Sequence, residues 1–198
     1  MNYQLRLPES LTTSNWSGGT TTQLYIFPEH ASYAASDFLV RISTATVTTE
    51  TSLFTSLPGI KRFLLILDGV LTIEHTGRYQ KQLQKFDSDT FLGDWETKGV
   101  GKVVDFNVMT SNKVSTQTVA IQLAAQEIFK TSIPSSIDTL LWYIYKGNIQ
   151  ITIDTVTIHI PTGAVFIINP ENQSSNITIH SLEETELIQT AILYSSVE

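Results

Sequence analysis

The 198-residue sequence contains no cysteine. That excludes disulfides, thiolate metal sites and a cysteine nucleophile. It has no apolar run near the ~20 residues of a membrane-spanning helix. The opening MNYQLRLPES has no hydrophobic stretch after its single positive charge, so no secretory leader is expected and the cytosol is the expected location. The three Asn-x-Ser/Thr matches, at Asn15, Asn172 and Asn176, are then chance matches expected to carry no sugar. Positive charge is scarce: 12 Lys and Arg stand against 19 Asp and Glu, a net charge of −7. No basic stripe offers a surface for nucleic acid.

The charge is unevenly placed. Residues 1–112 hold 9 basic and 11 acidic side chains, residues 113–198 hold 3 and 8, and all four arginines (Arg6, Arg41, Arg62, Arg78) lie in the first part. A small anion is therefore better sought there.

What is present favours sheet. The chain is 41% hydrophobic, and short runs of Thr, Ile, Val and aromatics recur between Gly, Pro, Asn and Asp. The most apolar stretch, Phe63 to Leu67, reads as a strand buried on both faces. Asp68-Gly69 after it predicts a type I′ hairpin returning through Val70 to Ile73. Phe38 to Thr48 alternates, with Leu39, Arg41, Ser43 and Ala45 on one face. In Val103 to Thr110, Asp105 and Asn107 oppose Val104, Phe106 and Val108. A helix competes at Thr116 to Phe129, and a strand running into a loop is expected there. From Leu140 the pattern of strand, Gly turn and strand returns. Strands of about five residues, spaced by eight to twelve, indicate a sandwich, barrel or jelly roll. The repetition predicts an all-β chain of two stacked lobes, residues 1–112 and 113–198, with strand exchange between them allowed.

Five segments carry a more specific likeness: Trp16-Ser17-Gly18-Gly19-Thr20-Thr21, Arg41-Ile42-Ser43-Thr44-Ala45, Phe54-Thr55-Ser56-Leu57-Pro58-Gly59-Ile60-Lys61-Arg62, Phe91-Leu92-Gly93-Asp94 and Asp105-Phe106-Asn107-Val108-Met109. In that order they resemble the HutD/Ves family of bacterial bicupins, over roughly residues 14 to 110. An Asn commonly follows the Trp in that family; here it is Ser17. The resemblance implies a pair of cupin barrels, a link to histidine utilisation or stress response, and a ligand such as formylglutamate or urocanate.

Many cupins hold a metal through a His-x-His pair, a Glu seven residues before a turn Gly, and a later His after Pro-x-Gly. Here Arg62 stands seven before Gly69, Leu140 stands seven before Gly147, and Phe166 follows Pro161-Thr162-Gly163 where His would be. His30, His75, His159 and His180 are scattered. No metal and no other cofactor is expected.

The candidate ligand-binding residues are Arg41, Arg62, Ser43, Asn107, Trp16 and Asp105. An interior guanidinium forks onto a carboxylate through paired N–H groups. Four of these have a plainer reading: Arg62 snorkelling from a strand start, Arg41 pairing outward with an acid, Asp105 in a structural salt bridge, Trp16 plugging a barrel end. Gly18-Gly19 offers close backbone approach to a ligand or positive φ. No catalytic residue is assigned. The expected function is metal-free binding of a small carboxylate metabolite in a sensing role, without nucleic acid or membrane; a homodimer is compatible with it. The alternatives are a metal-independent isomerase or hydrolase with Asp105 as general base, and a module that serves association only.

Overall fold

A computed structural model describes residues 2–170 and 175–195; Asn172 lies outside the described residues. The strands are β1 (Asn2–Arg6), β2 (Thr12–Trp16), β3 (Gly19–Phe27), β4 (Val40–Val47), β5 (Thr51–Leu53), β6 (Ile60–Gly69), β7 (Leu71–His75), β8 (Tyr79–Leu83), β9 (Ser88–Leu92) and β10 (Thr97–Val100). They continue as β11 (Val103–Ser111), β12 (Val114–Leu123), β13 (Ile128–Ile133), β14 (Thr139–Lys146), β15 (Ile149–Ile153), β16 (Val156–Ile160), β17 (Val165–Asn169), β18 (Ser175–Ser181) and β19 (Thr185–Tyr194). Among the described residues a single 3-10 turn, at Pro8–Ser10, accompanies them. Among the described residues no helix is long and apolar enough to cross a membrane.

The strands form two compact units, Thr12–Val114 and Met1–Leu11 with Ser115–Glu198. In the first, a six-stranded sheet ordered β2-β3-β4-β11-β6-β9 accompanies a four-stranded sheet ordered β5-β10-β7-β8. In the second, the sheets are β1-β17-β14-β19-β12 and β13-β18-β15-β16. The two orders match: β4-β11-β6-β9 corresponds to β12-β19-β14-β17, and β5-β10-β7-β8 to β13-β18-β15-β16. The repeat inferred from two Gly turns is thus a repeat of whole topology. The first eleven residues, expected with the N-terminal lobe, cluster instead with the later one. There β1 pairs with β17, Leu5 opposite Phe166, and the Tyr3 ring lies 5.5 Å from that of Phe166.

The expected hairpin at Asp68-Gly69 does not form. β6 and β7 lie in different sheets, so Gly69 is a crossing point rather than a turn between paired strands. Its φ is +86°, and Asp68 does not share a positive φ. A Cβ at Gly69 would come within 2.5 Å of the Lys102 carbonyl oxygen, so glycine is required sterically as well as conformationally. Gly147, at φ +82°, makes the equivalent crossing from β14 to β15. The stretch after Thr116 runs from strand into loop as expected, with β12 ending at Leu123. β13 begins at Ile128 and pairs with β18.

β6 reads as expected: Leu64, Leu65, Ile66 and Leu67 are all buried, so both faces are covered. Each such side chain contributes about 1.5–3 kcal/mol of hydrophobic stabilisation. A core cluster of Val47, Leu64, Ile66, Leu71, Ile73, Leu83, Phe91 and Val103 holds the first unit's two sheets together. A larger cluster around Trp142, Phe166 and nine isoleucines fills the second unit.

Candidate functional site

Antiparallel pairing sets the site. Met109 on β11 lies opposite Arg41 on β4 and opposite Arg62 on β6. Paired residues face the same side of a sheet, so both guanidinium groups project from one face. Their backbones are two strand spacings apart, roughly 10 Å. The next row on that face is Gln23, Ser43, Asn107 and Leu64; the one after is Thr21, Ala45, Asp105 and Ile66. The register is continuous through that last row and shifts only beyond it, between Asp105 and Val104. The period-2 patterns at Arg41/Ser43/Ala45 and Asp105/Asn107/Met109 therefore interlock as one polar patch.

This patch floors a cavity of about 230 Å³. Its lining includes all six candidates, Arg41, Arg62, Ser43, Asn107, Trp16 and Asp105. β2 and β5, the edge strands of the two sheets, contribute Ser14, Trp16, Ser52 and Leu53 to the lining. Sequence reasoning missed Tyr33, Phe54 and Met109. Met109 continues the alternation of Asp105 and Asn107 and was legible; Phe54 sat within a quoted segment; Tyr33 lies between strands and gave no periodic signal.

Arg41 and Arg62 are 6% and 5% exposed, which overturns both the snorkelling and the outward-facing readings. Arg41 donates from Nε to Gln23 Oε1 at 3.1 Å and from Nη1 to Ser43 Oγ at 3.2 Å, and stacks 4.6 Å from the Tyr33 ring centroid. Arg62 lies 4.8 Å from the Phe54 ring and 5.4 Å from the Phe91 ring. It donates from Nη2 to Asn107 Oδ1 at 3.2 Å, but its buried Nε has no hydrogen-bond partner among the described residues. Neither guanidinium is in ion-pair contact with a carboxylate among the described residues. The salt-bridge reading of Asp105 is therefore corrected: Asn107 stands between it and Arg62, donating from Nδ2 to the Asp105 carboxylate.

Burial dominates the electrostatics. It lowers Arg41 from its ordinary value, and pulls Arg62 down to about 10 against the favourable fields of Tyr33 and Asp105. Burial also pushes Asp105 up to about 7, although Arg62, the Ala45 backbone N–H and Asn107 all favour its charged form. The cavity thus holds two cations against one carboxyl that is only partly ionised near neutrality.

Trp16 is 38% exposed, so it is a rim residue and does not plug a barrel end. Gly18 serves that indole: a Cβ there would lie 2.1 Å from a Trp16 ring carbon. Gly19 serves the sheet, since a Cβ there would lie 1.9 Å from the Thr46 carbonyl oxygen.

His75 shows what scattered sequence positions conceal. It is buried, with Nδ1 2.8 Å from Thr97 Oγ1 and Nε2 3.0 Å from Asp89 Oδ2. Tyr79 also donates to Asp89, at 3.1 Å, and burial followed by that contact raises its hydroxyl above the usual phenol value. β7, β8 and β10 of one sheet are thereby tied to β9 of the other. This is a brace outside the cavity lining.

The residues do not fit a metal. Among the described residues no three His, Asp or Glu side chains come together. Arg62, at the position where cupins place a Glu ligand, would repel a cation. Phe166, where a His is expected, is fully buried with its ring 6.3 Å from that of Trp142.

Among its described residues the second unit has no counterpart of the patch. Its pairing places Leu140 opposite Ala191, Trp142 opposite Gln189 and Ile144 opposite Leu187. These correspond to Arg62 with Met109, Leu64 with Asn107, and Ile66 with Asp105. The charges are replaced by aliphatic groups, and Trp142 Nε1 donates to Gln189 Oε1 at 2.9 Å.

Comparisons with known proteins agree with the fold. The conserved protein of unknown function PA5104 from Pseudomonas aeruginosa PAO1 is similar at a TM-score of 0.82, with 15% identity over 97% of this chain and 99% of that one. HutD from Pseudomonas fluorescens SBW25 is similar at 0.72, with 15% identity over 98% and 100%. The bacterial pirin YhhW from Escherichia coli, solved with nickel(II), is similar at 0.69, with 12% identity over 98% and 100%. No functionally curated protein matches in sequence. The family model described as HutD matches residues 8–187, and with a cupin fold throughout, this chain belongs to the HutD family.

Proposed function

We propose that this cupin-type protein binds a small carboxylate metabolite in its first unit, in a sensing or regulatory role. A histidine-degradation intermediate, formylglutamate or urocanate, is the proposed ligand. The observation that carries this reading is the buried Nε–H of Arg62, which has no acceptor among the described residues. A buried donor on a charged group costs several kcal/mol unpaired, and a ligand carboxylate would supply both the acceptor and the counter-charge. Arg41 provides a second cation on the same face. The volume of about 230 Å³ lies below the ~300–1,000 Å³ of drug-sized pockets, which suits a small metabolite. The Phe54, Phe91 and Tyr33 rings suit its carbon skeleton.

Calorimetry with formylglutamate and urocanate tests the proposal. Arg41→Ala and Arg62→Ala are each expected to weaken binding at least tenfold while the circular dichroism spectrum is unchanged. Unaltered affinity in both variants rejects the site. A second reading is favoured by Asp105 alone: a carboxyl near 7 is suited to general-base chemistry. Turnover of either acid, abolished in Asp105→Asn, would make the protein an enzyme.

A further inference from the structure

We propose that carboxylate binding at this site is coupled to proton uptake: an anion seated on Arg62 transfers the burden of charge balance to Asp105, which takes up a proton as the ligand binds. The inference rests on the reading of the cavity as an anion site.

The geometry makes the two events inseparable. Asn107 is the link: its Oδ1 accepts from Arg62 Nη2, and its Nδ2 donates to Asp105. Asp105 is 4% exposed, so water does not screen what happens to its neighbour. Without a ligand, the field of Arg62 is the largest of the influences that favour the ionised carboxylate against burial, ahead of the Ala45 N–H and Asn107. A ligand carboxylate on the free Nε–H cancels that field. Burial then prevails, and the neutral acid is the stable form.

Counting charge gives the same direction. Arg41, Arg62 and an ionised Asp105 sum to +1. A dianion would leave the buried cavity at −1, and one proton on Asp105 restores neutrality. The charged and titratable groups that line the cavity with Asp105 are few. β6 supplies Arg62, β4 supplies Arg41, the segment before β4 supplies Tyr33, and its own strand supplies Asn107. The β3 and β5 lining residues Thr21 and Ser52 do not titrate. His75 is held by Asp89 and Thr97 and does not line the cavity.

The test is calorimetry of the full chain with N-formylglutamate from pH 6 to 8.5, in pairs of buffers with different ionisation enthalpies. The two carboxyls of this probe titrate below about pH 5, so protons exchanged in that window belong to the protein. Binding is expected to take up most of one proton at pH 8. Affinity is expected to rise about fivefold from pH 8 to pH 7 and to level off below, where free Asp105 is already protonated. Asp105→Asn, which keeps the shape of the neutral acid, should bind with a flat pH profile and a buffer-independent enthalpy. Binding that is pH-independent and releases no buffer-dependent heat in the wild-type chain overturns the coupling and leaves the anion site standing. Absence of binding at every pH removes the site and the coupling together.

Discussion

Arg62 carries a cost that the fold does not recover by itself. Its charge is desolvated, and one donor is unsatisfied. Replacing such a group by an apolar side chain of similar length often leaves stability unchanged or improved. Arg62→Met is therefore expected to abolish carboxylate binding while holding or raising the denaturation free energy by up to ~2 kcal/mol at pH 6. Asp105 is mostly protonated at that pH and is not stranded as a charge. A loss of several kcal/mol would identify the guanidinium as structural. Asp105 has its own signature. Its carboxyl is raised from 3.8 to about 7, so between those values the folded chain holds a proton that the unfolded chain releases. Its contribution to stability is full below about pH 4 and is lost as the pH rises towards 7, at about 1.4 kcal/mol per pH unit. Urea denaturation at pH 5, 6 and 7 should show the free-energy difference between wild type and Asp105→Asn changing with that slope. A constant difference would mean that Asp105 titrates as an ordinary carboxyl.

The β2–β3 hairpin holds two adjacent glycines with separate duties. Gly18→Ala meets the edge of an indole that can swing away, whereas Gly19→Ala meets a backbone oxygen that cannot. The first should shift Trp16 fluorescence and its quenching by acrylamide with little change in stability. The second should cost about 1–3 kcal/mol by prising β3 from β4. Equal effects on both readouts would deny the division of labour. The same hairpin shows what sequence could and could not give. The strands and their inward faces were legible, because Arg41/Ser43 and Asp105/Asn107 alternate with large aliphatics. Glycines 18 and 19 were recognised as special; the reason for Gly18 is the neighbouring Trp16 ring, but that for Gly19 is Thr46, which only the fold brings close. Asp68-Gly69 was misread because a local dipeptide cannot report which sheet the next strand will join. His75 and Asp89 are joined only by the packing of one sheet on another, and no spacing rule would have paired them.

At the level of the whole molecule, one topology is used twice with different contents. Leu140 and Leu187 stand where the first unit has Arg62 and Asp105, so the later unit is built as a packed interior. Its integrity draws on the opening residues, since β1 forms the outer strand of its larger sheet. Deleting residues 1–11 uncovers the edge of β17 and frees the Tyr3–Phe166 contact. In a Trp16→Phe, Trp95→Phe background, where Trp142 alone reports, this truncation is expected to lower the thermal midpoint by several degrees; an unchanged midpoint would show β1 to be dispensable. The pairing of Leu5 with Phe166 also imposes a delay during synthesis. At ribosomal speeds of ~5–20 residues per second, the opening segment waits roughly ten to thirty seconds for its partner to be made. It spends that interval as an unmated strand tethered to a lobe that can already close around its own core. A strand made before the rest of its own unit is thus among the last to find its seat.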